Sequence, residues 1–296
     1  MKKRAPVRRP RRVCAVSIAT SDSGGGAGIQ ADLLTFAAHG VHGATVLAAG
    51  TAQNSRSVFA IETFSTRFVA SQMDAVFSDF QPRAVKIGML FDAPRIRAVA
   101  AGLKRHGARN VVLDPVMVSK SGARLLSPVA IGSLRKELLP LCDLVTPNLP
   151  EAESLSGMRI RRSGDRHVAA GIIASLGARA VLVKGGHARG GQVRDLLFDG
   201  RFFTEFVAPR IRTRATHGTG CTLSSAIAAN LALGRCLEES ILHAIRYLRA
   251  GLSLGFFPGH GYGVPDHFPS VALSAVSEPA RPRTKPRRRE RSRRSG

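Results

Sequence analysis

The sequence predicts an α/β protein with a mostly parallel central sheet and helices on both faces. Three observations predict it. Short apolar runs rich in Val, Ile and Leu alternate with longer stretches of helical spacing. Each apolar run ends in a polar or glycine-bearing turn, the mark of a buried strand. The 296 residues, 44% hydrophobic and 5% aromatic, suffice for one large aliphatic core. Repeated strand–helix units pair in parallel and are covered on both faces.

The elements follow in order. "VCAVSIA" (13–19) reads as a buried strand. Residues 28–40 carry helical spacing through Ile29, Leu33, Leu34, Phe36 and Ala37. "GATVLAA" (43–49) is a second strand, and 66–80 a helix with Thr66 as its expected N-cap. Four more apolar runs, at 84–90, 110–116, 143–148 and 180–186, are expected strands. Helices are expected at 93–105, 128–139, 150–156 and 164–176. Residues 194–210 read as a hairpin around Asp199–Gly200. Two helices close the chain, near 221–233 and 238–254. Residues 13–270 form one expected domain, without a repeat.

Charge separates the ends from the body. Residues 1–12 hold seven Lys/Arg and no acid, and 279–296 hold nine Lys/Arg and one Glu. Fifteen of the net +24 charges therefore fall on the two ends. Such Pro/Arg-rich segments cannot bury a core, so 1–12 and 271–296 are expected to be solvated arms. Nucleic-acid binding by the arms is the sharper reading. The body offers no basic strand interleaved with aromatics, no helix-turn-helix signature and no zinc motif to support it. "VCAVSIA" is too short for an export signal and runs into a glycine loop, not a cleavage site. No apolar run approaches a membrane span. The four cysteines are scattered without a CxxC pair, which fits a reducing cytoplasm.

In parallel sheets, ligands bind beyond the C-terminal strand ends. Two stretches there carry chemistry. In "THGTGCTLSSAIAAN" (216–230), Gly218 and Gly220 allow a tight turn into a helix of small residues. The amides of Gly218, Thr219, Gly220 and Cys221, with the helix dipole, make an expected anion site. A thiol at a helix N-terminus tends towards a lowered pKa, which would let Cys221 act as a base. In "IATSDSGGGAGIQAD" (18–32), a strand leads through a glycine loop into a helix. Its spacing is neither GxxxxGK[ST] nor GxGxxG, which excludes a P-loop and a dinucleotide fold.

The segments "SDSGGGAGIQADLLTF", "TAQNS", "VKIGML", "LDPVMVSKSGARLL", "TPNLPEAE", "VLVKGGH" and "THGTGCTLSSAIAANLALG" occur in a family's order. On these motifs the chain resembles the hydroxymethylpyrimidine/phosphomethylpyrimidine kinases of thiamine biosynthesis, in the ribokinase-like superfamily. The resemblance covers about residues 13–260 and leaves out both arms. Pyridoxal kinases are relatives, but they usually carry Asp where this chain has Cys221.

The resemblance implies ATP and Mg²⁺ as cofactors, a small pyrimidine substrate and a homodimer. Gln53 and the glycine loop at Gly26 would hold the pyrimidine, an amide suiting a ring nitrogen and an exocyclic amine. Asp22 would face the substrate or cap the glycine loop; both readings stand. Met89 would pack on the ring. Asp114 and Glu151 would hold Mg²⁺, directly or through water. Glu151 also reads as a first-turn acid on its helix. Asn148, Lys184, Lys120 and Thr216 would contact ATP, with Lys120 in a stretch able to close over the site. The Gly218–Cys221 turn would cradle the transferring phosphoryl group. A pyridoxal kinase and a catalytically silent homologue are the rival readings; intact Gln53, Asp114, Glu151 and Cys221 oppose the second.

Overall fold

The computed structural model describes residues 12–117, 126–187 and 190–269. Its nine strands form one sheet, in chain order β1 (Cys14–Asp22), β2 (His42–Gln53), β3 (Val58–Thr63), β4 (Ala84–Ile87), β5 (Val111–Leu113), β6 (Leu144–Val145), β7 (Val181–Val183), β8 (Gln192–Phe198) and β9 (Phe203–Pro209). The spatial order is β3-β2-β1-β4-β5-β6-β7-β8-β9. β2, β1, β4, β5, β6 and β7 run parallel, and antiparallel neighbours close each edge. The strand order reverses between β1 and β4, which opens a crevice at their C-terminal ends.

Helices α1 (Gly28–Ala38), α7 (Thr219–Ala232) and α8 (Leu237–Ser253) cover one face. α2 (Thr66–Phe80), α3 (Ala93–Arg105), α4 (Pro128–Ser133), α5 (Leu149–Ser156) and α6 (Asp165–Ser175) cover the other. The pleat sorts side chains between them. Ala15, Ala84, Val112, Leu144 and Leu182 pack with α1, α7 and α8. Their neighbours Val16, Val85, Leu113, Val145 and Val183 pack on the opposite face. Both faces are buried, so the strands read as continuous apolar runs.

The structure corrects several expected boundaries. β4 to β7 are shorter than the apolar runs that announce them. Gly88, Pro115, Pro147 and Gly185 follow the strands and end their ladders, because proline has no N–H and glycine favours a turn. Residues 128–139 are not one α-helix: α4 stops at Ser133 and continues as a π turn and a short 3-10 turn. Pro140 lies in that 3-10 turn and cannot supply the amide a continued α-helix needs. The N-cap of α2 is Ser65, not Thr66; the Ser65 hydroxyl accepts from the Phe68 amide. β3 goes unsignalled because it is an edge strand with little buried surface. No helix among the described residues is long and apolar enough to cross a membrane.

Candidate active site

A cavity of about 1130 Å³ opens at the C-terminal ends of the parallel strands. The expected site residues converge there from separate elements. β1 ends in Asp22, β2 in Gln53, and Met89 lies just beyond β4. Asp114 follows β5, Asn148 and Glu151 follow β6, and Lys184 follows β7. Thr216 and Gly218 to Cys221 lead into α7 and line the same cavity. Lys120 lies outside the described residues. Gly26 sits behind the wall: a side-chain carbon there would come within 2.4 Å of the His217 ring.

The turn into α7 has the form of an anion site. Gly218 is left-handed at φ 77°, and no side chain caps the helix start. The first intrahelical acceptor is the Gly218 carbonyl, taken by the Thr222 amide at 2.8 Å. The amides before it therefore have no partner within the helix. A carbon added at Gly220 would stand 2.9 Å from Asp114 Oδ2 and 3.5 Å from Lys184 Nζ. The amide turn and the charged pair thus share one corner of the cavity.

That corner is an electrostatic cluster. Lys184 Nζ donates to Asp114 Oδ1 at 2.6 Å. Burial works against the lysine's charge, but Asp114 and then Glu151 outweigh it and raise its pKa above the ordinary value. Glu151 is pushed the other way. Burial raises its pKa to about 7, Lys184 opposes the rise, and Asp114 adds to it. Glu151 also completes a capping box: its Oε2 accepts the Asn148 amide at 2.8 Å, and Asn148 Oδ1 accepts the Glu151 amide at 3.0 Å. The helix-capping reading of Glu151 and its place in the cavity hold together.

The opposite wall is built around Asp22. Its carboxylate accepts the amides of Gly24 and Ala27 at 2.8 and 2.9 Å, so the loop-capping reading holds. His217 Nε2 lies 3.0 Å from the same carboxylate. Burial alone would raise the Asp22 pKa; hydrogen bonds from His217 and the loop amides hold it below the usual value. Gln53 Nε2 is placed 3.3 Å from His217 Nε2. A ring nitrogen that donates to Asp22 cannot also accept from an amide, so the Gln53 oxygen suits the ring and its NH₂ the cavity. Thr20 Oγ1 donates to the Met89 carbonyl at 2.9 Å and holds that segment.

Cys221 departs from expectation. Its pKa is raised to about 11, not lowered. Burial in the inner wall dominates; the Lys86 charge and the Gly28 amide at the start of α1 act against it without cancelling it. At neutral pH the group is a thiol, not a resident base.

Four residues go unannounced by the motif reading: Lys86, Asp32, His217 and Asp195. Asp195 is buried and accepts the Gly185 amide at 2.7 Å, fixing the turn after Lys184. Lys86 and Asp32 form a fully buried ion pair at 2.8 Å. Their signal was visible: a lysine inside the apolar run "AVKIGML" and an aspartate on the apolar stripe of α1 each demand a buried partner.

An uncapped helix N-terminus beside a lysine–carboxylate cluster, at the switch point of a parallel sheet, defines a phosphoryl-transfer enzyme. Residues 22–266 match the model of the family described as phosphomethylpyrimidine kinase. A hydroxymethylpyrimidine/phosphomethylpyrimidine kinase of Rhizobium meliloti is 53% identical over 259 residues, covering 86% of this chain and 96% of that one. A thiamine biosynthesis bifunctional protein of Geobacter sulfurreducens is 51% identical over 85% of this chain; the match spans 51% of that longer protein. Among solved structures, a phosphomethylpyrimidine kinase from Clostridium difficile is 42% identical with a TM-score of 0.73, covering 80% of this chain and 98% of that one. An ADP complex of Bacillus subtilis pyridoxal kinase is 36% identical with a TM-score of 0.82, covering 90% and 100%. The chain belongs to the phosphomethylpyrimidine kinase family, and its fold is that of the ribokinase-like kinases.

Proposed function

We propose that the chain transfers the γ-phosphoryl group of ATP to hydroxymethylpyrimidine and then to its monophosphate, a step pair of thiamine biosynthesis. The observation that carries this reading is one cavity with two chemically distinct walls joined by the α7 turn. The Asp22–His217–Gln53 wall, with Met89, offers hydrogen bonds and an apolar face to a small heteroaromatic ring. The Asp114–Lys184–Glu151 wall suits a polyphosphate. Beyond it, Val207, Ile211, Leu242 and Ile245, with Arg246 and Arg249, leave room for a nucleoside. The volume exceeds the roughly 300–1,000 Å³ of a single-ligand pocket and fits two ligands side by side.

Catalysis on this reading is alignment plus neutralisation of charge. The amides of Gly218, Thr219, Gly220 and Cys221 surround the equatorial oxygens of the group in transit. Lys184, with Thr216 and Asn148, contacts the nucleotide phosphates. Gln53 and Met89 orient the acceptor. Cys221, a thiol in the resting site, takes the acceptor hydroxyl's proton as the attack develops while passing its own to an oxygen of the transferring phosphoryl group; the ionised monophosphate needs no such help.

Asp114 and Glu151 fit a water-bridged Mg²⁺. They are two buried carboxylates on one wall, and the neighbouring charge of Asp114 helps keep Glu151 hard to ionise. A cation between them relieves that repulsion, and Mg²⁺ keeps several waters and needs few protein ligands. When bound, it would neutralise charge on the ATP phosphates.

Homodimerisation is part of the same proposal. Phe64 and Phe68, with ring centroids 5.5 Å apart, and Phe59 on the neighbouring edge strand β3 are exposed apolar groups suited to a second copy. Sedimentation of the purified chain checks it; a monomer at micromolar concentration removes it. The activity test is ADP release with hydroxymethylpyrimidine, its monophosphate or pyridoxal. Turnover on both pyrimidines supports the reading. Turnover on pyridoxal alone, the reading favoured by the pyridoxal kinase neighbours, moves the substrate and keeps the site.

A further inference from the structure

Lys86 is the largest unexplained charge in the molecule's interior. Its side chain and that of Asp32 are both fully buried. Moving an ion pair out of water costs several kcal/mol per ion unless the remaining lone pairs and protons are met. Asp32 is fully met. One oxygen takes Lys86 Nζ at 2.8 Å and the Ser17 hydroxyl at 2.5 Å; the other takes the Ser225 hydroxyl of α7 at 2.7 Å.

Lys86 is not met in the same way. An ammonium carries three donors. Among the described residues its hydrogen-bond partner is Asp32 alone. Lys86 shares the pleat face of Ala84, which packs with α7, and it lines the floor of the cavity. A side-chain carbon at Gly88 would come within 2.8 Å of Nζ. The glycine before Met89 is therefore the space the ammonium occupies, directly below the acceptor segment.

We propose that Lys86 is a positioning residue for phosphoryl transfer, its buried ammonium, clamped by Asp32, supplying fixed positive charge beneath the Gly88–Met89 segment and the Cys221 turn. The lysine is secured in its charged form: burial opposes the charge, and Asp32 more than offsets it. The same charge is the main influence holding the Cys221 pKa down against burial. Asp32 reaches Ser225 on α7 and so ties the cation's position to the helix that carries the anion site. A charge placed this way strengthens the amide turn without binding phosphate itself, because its strongest partner is already fixed.

The inference rests on reading the cavity as a phosphoryl-transfer site. Two measurements keep the two claims apart. The first is turnover of Lys86→Met and of the double variant Lys86→Met/Asp32→Asn, in the full chain with ATP, Mg²⁺ and hydroxymethylpyrimidine. The single variant leaves Asp32 buried without a counter-charge and can fail to fold. The double variant removes both charges; the Asn oxygen still accepts from one of Ser17 and Ser225, and its NH₂ donates to the hydroxyl of the other. We expect it to fold and to lose kcat roughly 10²-fold, with KM for the acceptor little changed. Near-native kcat in the folded double variant overturns the proposal, since a purely structural pair is dispensable once both charges go.

The second measurement needs no substrate. It is the pH dependence of Cys221 alkylation by iodoacetamide, read on the Cys221-containing peptide by mass. The alkylation midpoint is expected to rise in the double variant, since the influence of Lys86 on this thiol exceeds that of Asp32. An unchanged midpoint overturns the proposal. A raised midpoint in a protein whose wild type turns over no pyrimidine supports Lys86 and overturns the substrate reading alone.

Discussion

Lys86 is fully buried and Lys184 largely so; both are paired with an aspartate and placed towards the C-terminal ends of parallel strands. They differ in what completes the pair. Asp32 is closed off by two serine hydroxyls, and neither member reaches solvent. Among the described residues, Asp114 has besides Lys184 only a long contact from Thr146, and its lysine is shared with a second acid, Glu151, that burial keeps hard to ionise. A closed pair holds geometry. An open triad with one acid too many is built to accept a ligand. The same two residue types therefore do different jobs, and hydrogen-bond closure decides which.

Substitutions can break this contrast, and the largest effect belongs to the open cluster. Lys184→Met removes the cation beside the α7 turn and is expected to lower kcat roughly 10²–10³-fold in the ADP-release assay. Its melting temperature should fall as well, because Asp114 is left buried without its counter-charge. Next come the aspartates. Asp32→Asn leaves Lys86 buried and unpaired, with an expected loss of about 3–5 kcal/mol in urea unfolding. Asp114→Asn leaves Lys184 a second carboxylate in Glu151, so its loss should be less than half of that, while activity falls sharply. Equal destabilisation by the two would erase the distinction between closed and open pairs.

A smaller effect sharpens the comparison through pH. The Glu151 pKa is raised to about 7, above an unfolded value near 4.5. Between those values the folded protein keeps a proton that the unfolded chain has released. Stability should therefore fall as pH rises from about 5 to 7.5 without nucleotide. Glu151→Gln should flatten that slope in melting curves, and a persisting slope would place the titration elsewhere. The smallest effect is on Cys221→Ala. Turnover on hydroxymethylpyrimidine should drop about tenfold and on the monophosphate hardly at all, since a thiol relay contributes less than the amide turn. Equal losses on both acceptors remove the relay.

The parallel sheet and the glycine turns were legible because they depend on local rules: apolar runs, spacing and Gly or Pro at strand ends. So were Asp114 and Lys184, polar residues just past a strand; Asn148 and Glu151 came only with the family resemblance of "TPNLPE". Long-range pairing was not legible in this way. Whether Asp22 faces the ligand or its own loop depends on His217, 195 residues away in sequence. The Cys221 thiol was misjudged for a related reason. Its helix position favours the thiolate, but burial by separate elements outweighs the dipole. β3 was missed because an exposed edge strand carries little hydrophobic pattern.

Gly218 has one more consequence. A side-chain carbon there would sit 1.9 Å from the Gly26 carbonyl oxygen, so the acceptor loop and the phosphate turn are pressed backbone to backbone. Two segments almost two hundred residues apart are thereby one interlocked part. Transplanting the acceptor loop from a related kinase would need its matching phosphate turn as well. A grafted turn that brings any residue but glycine to position 218 begins with a steric mismatch against the Gly26 backbone.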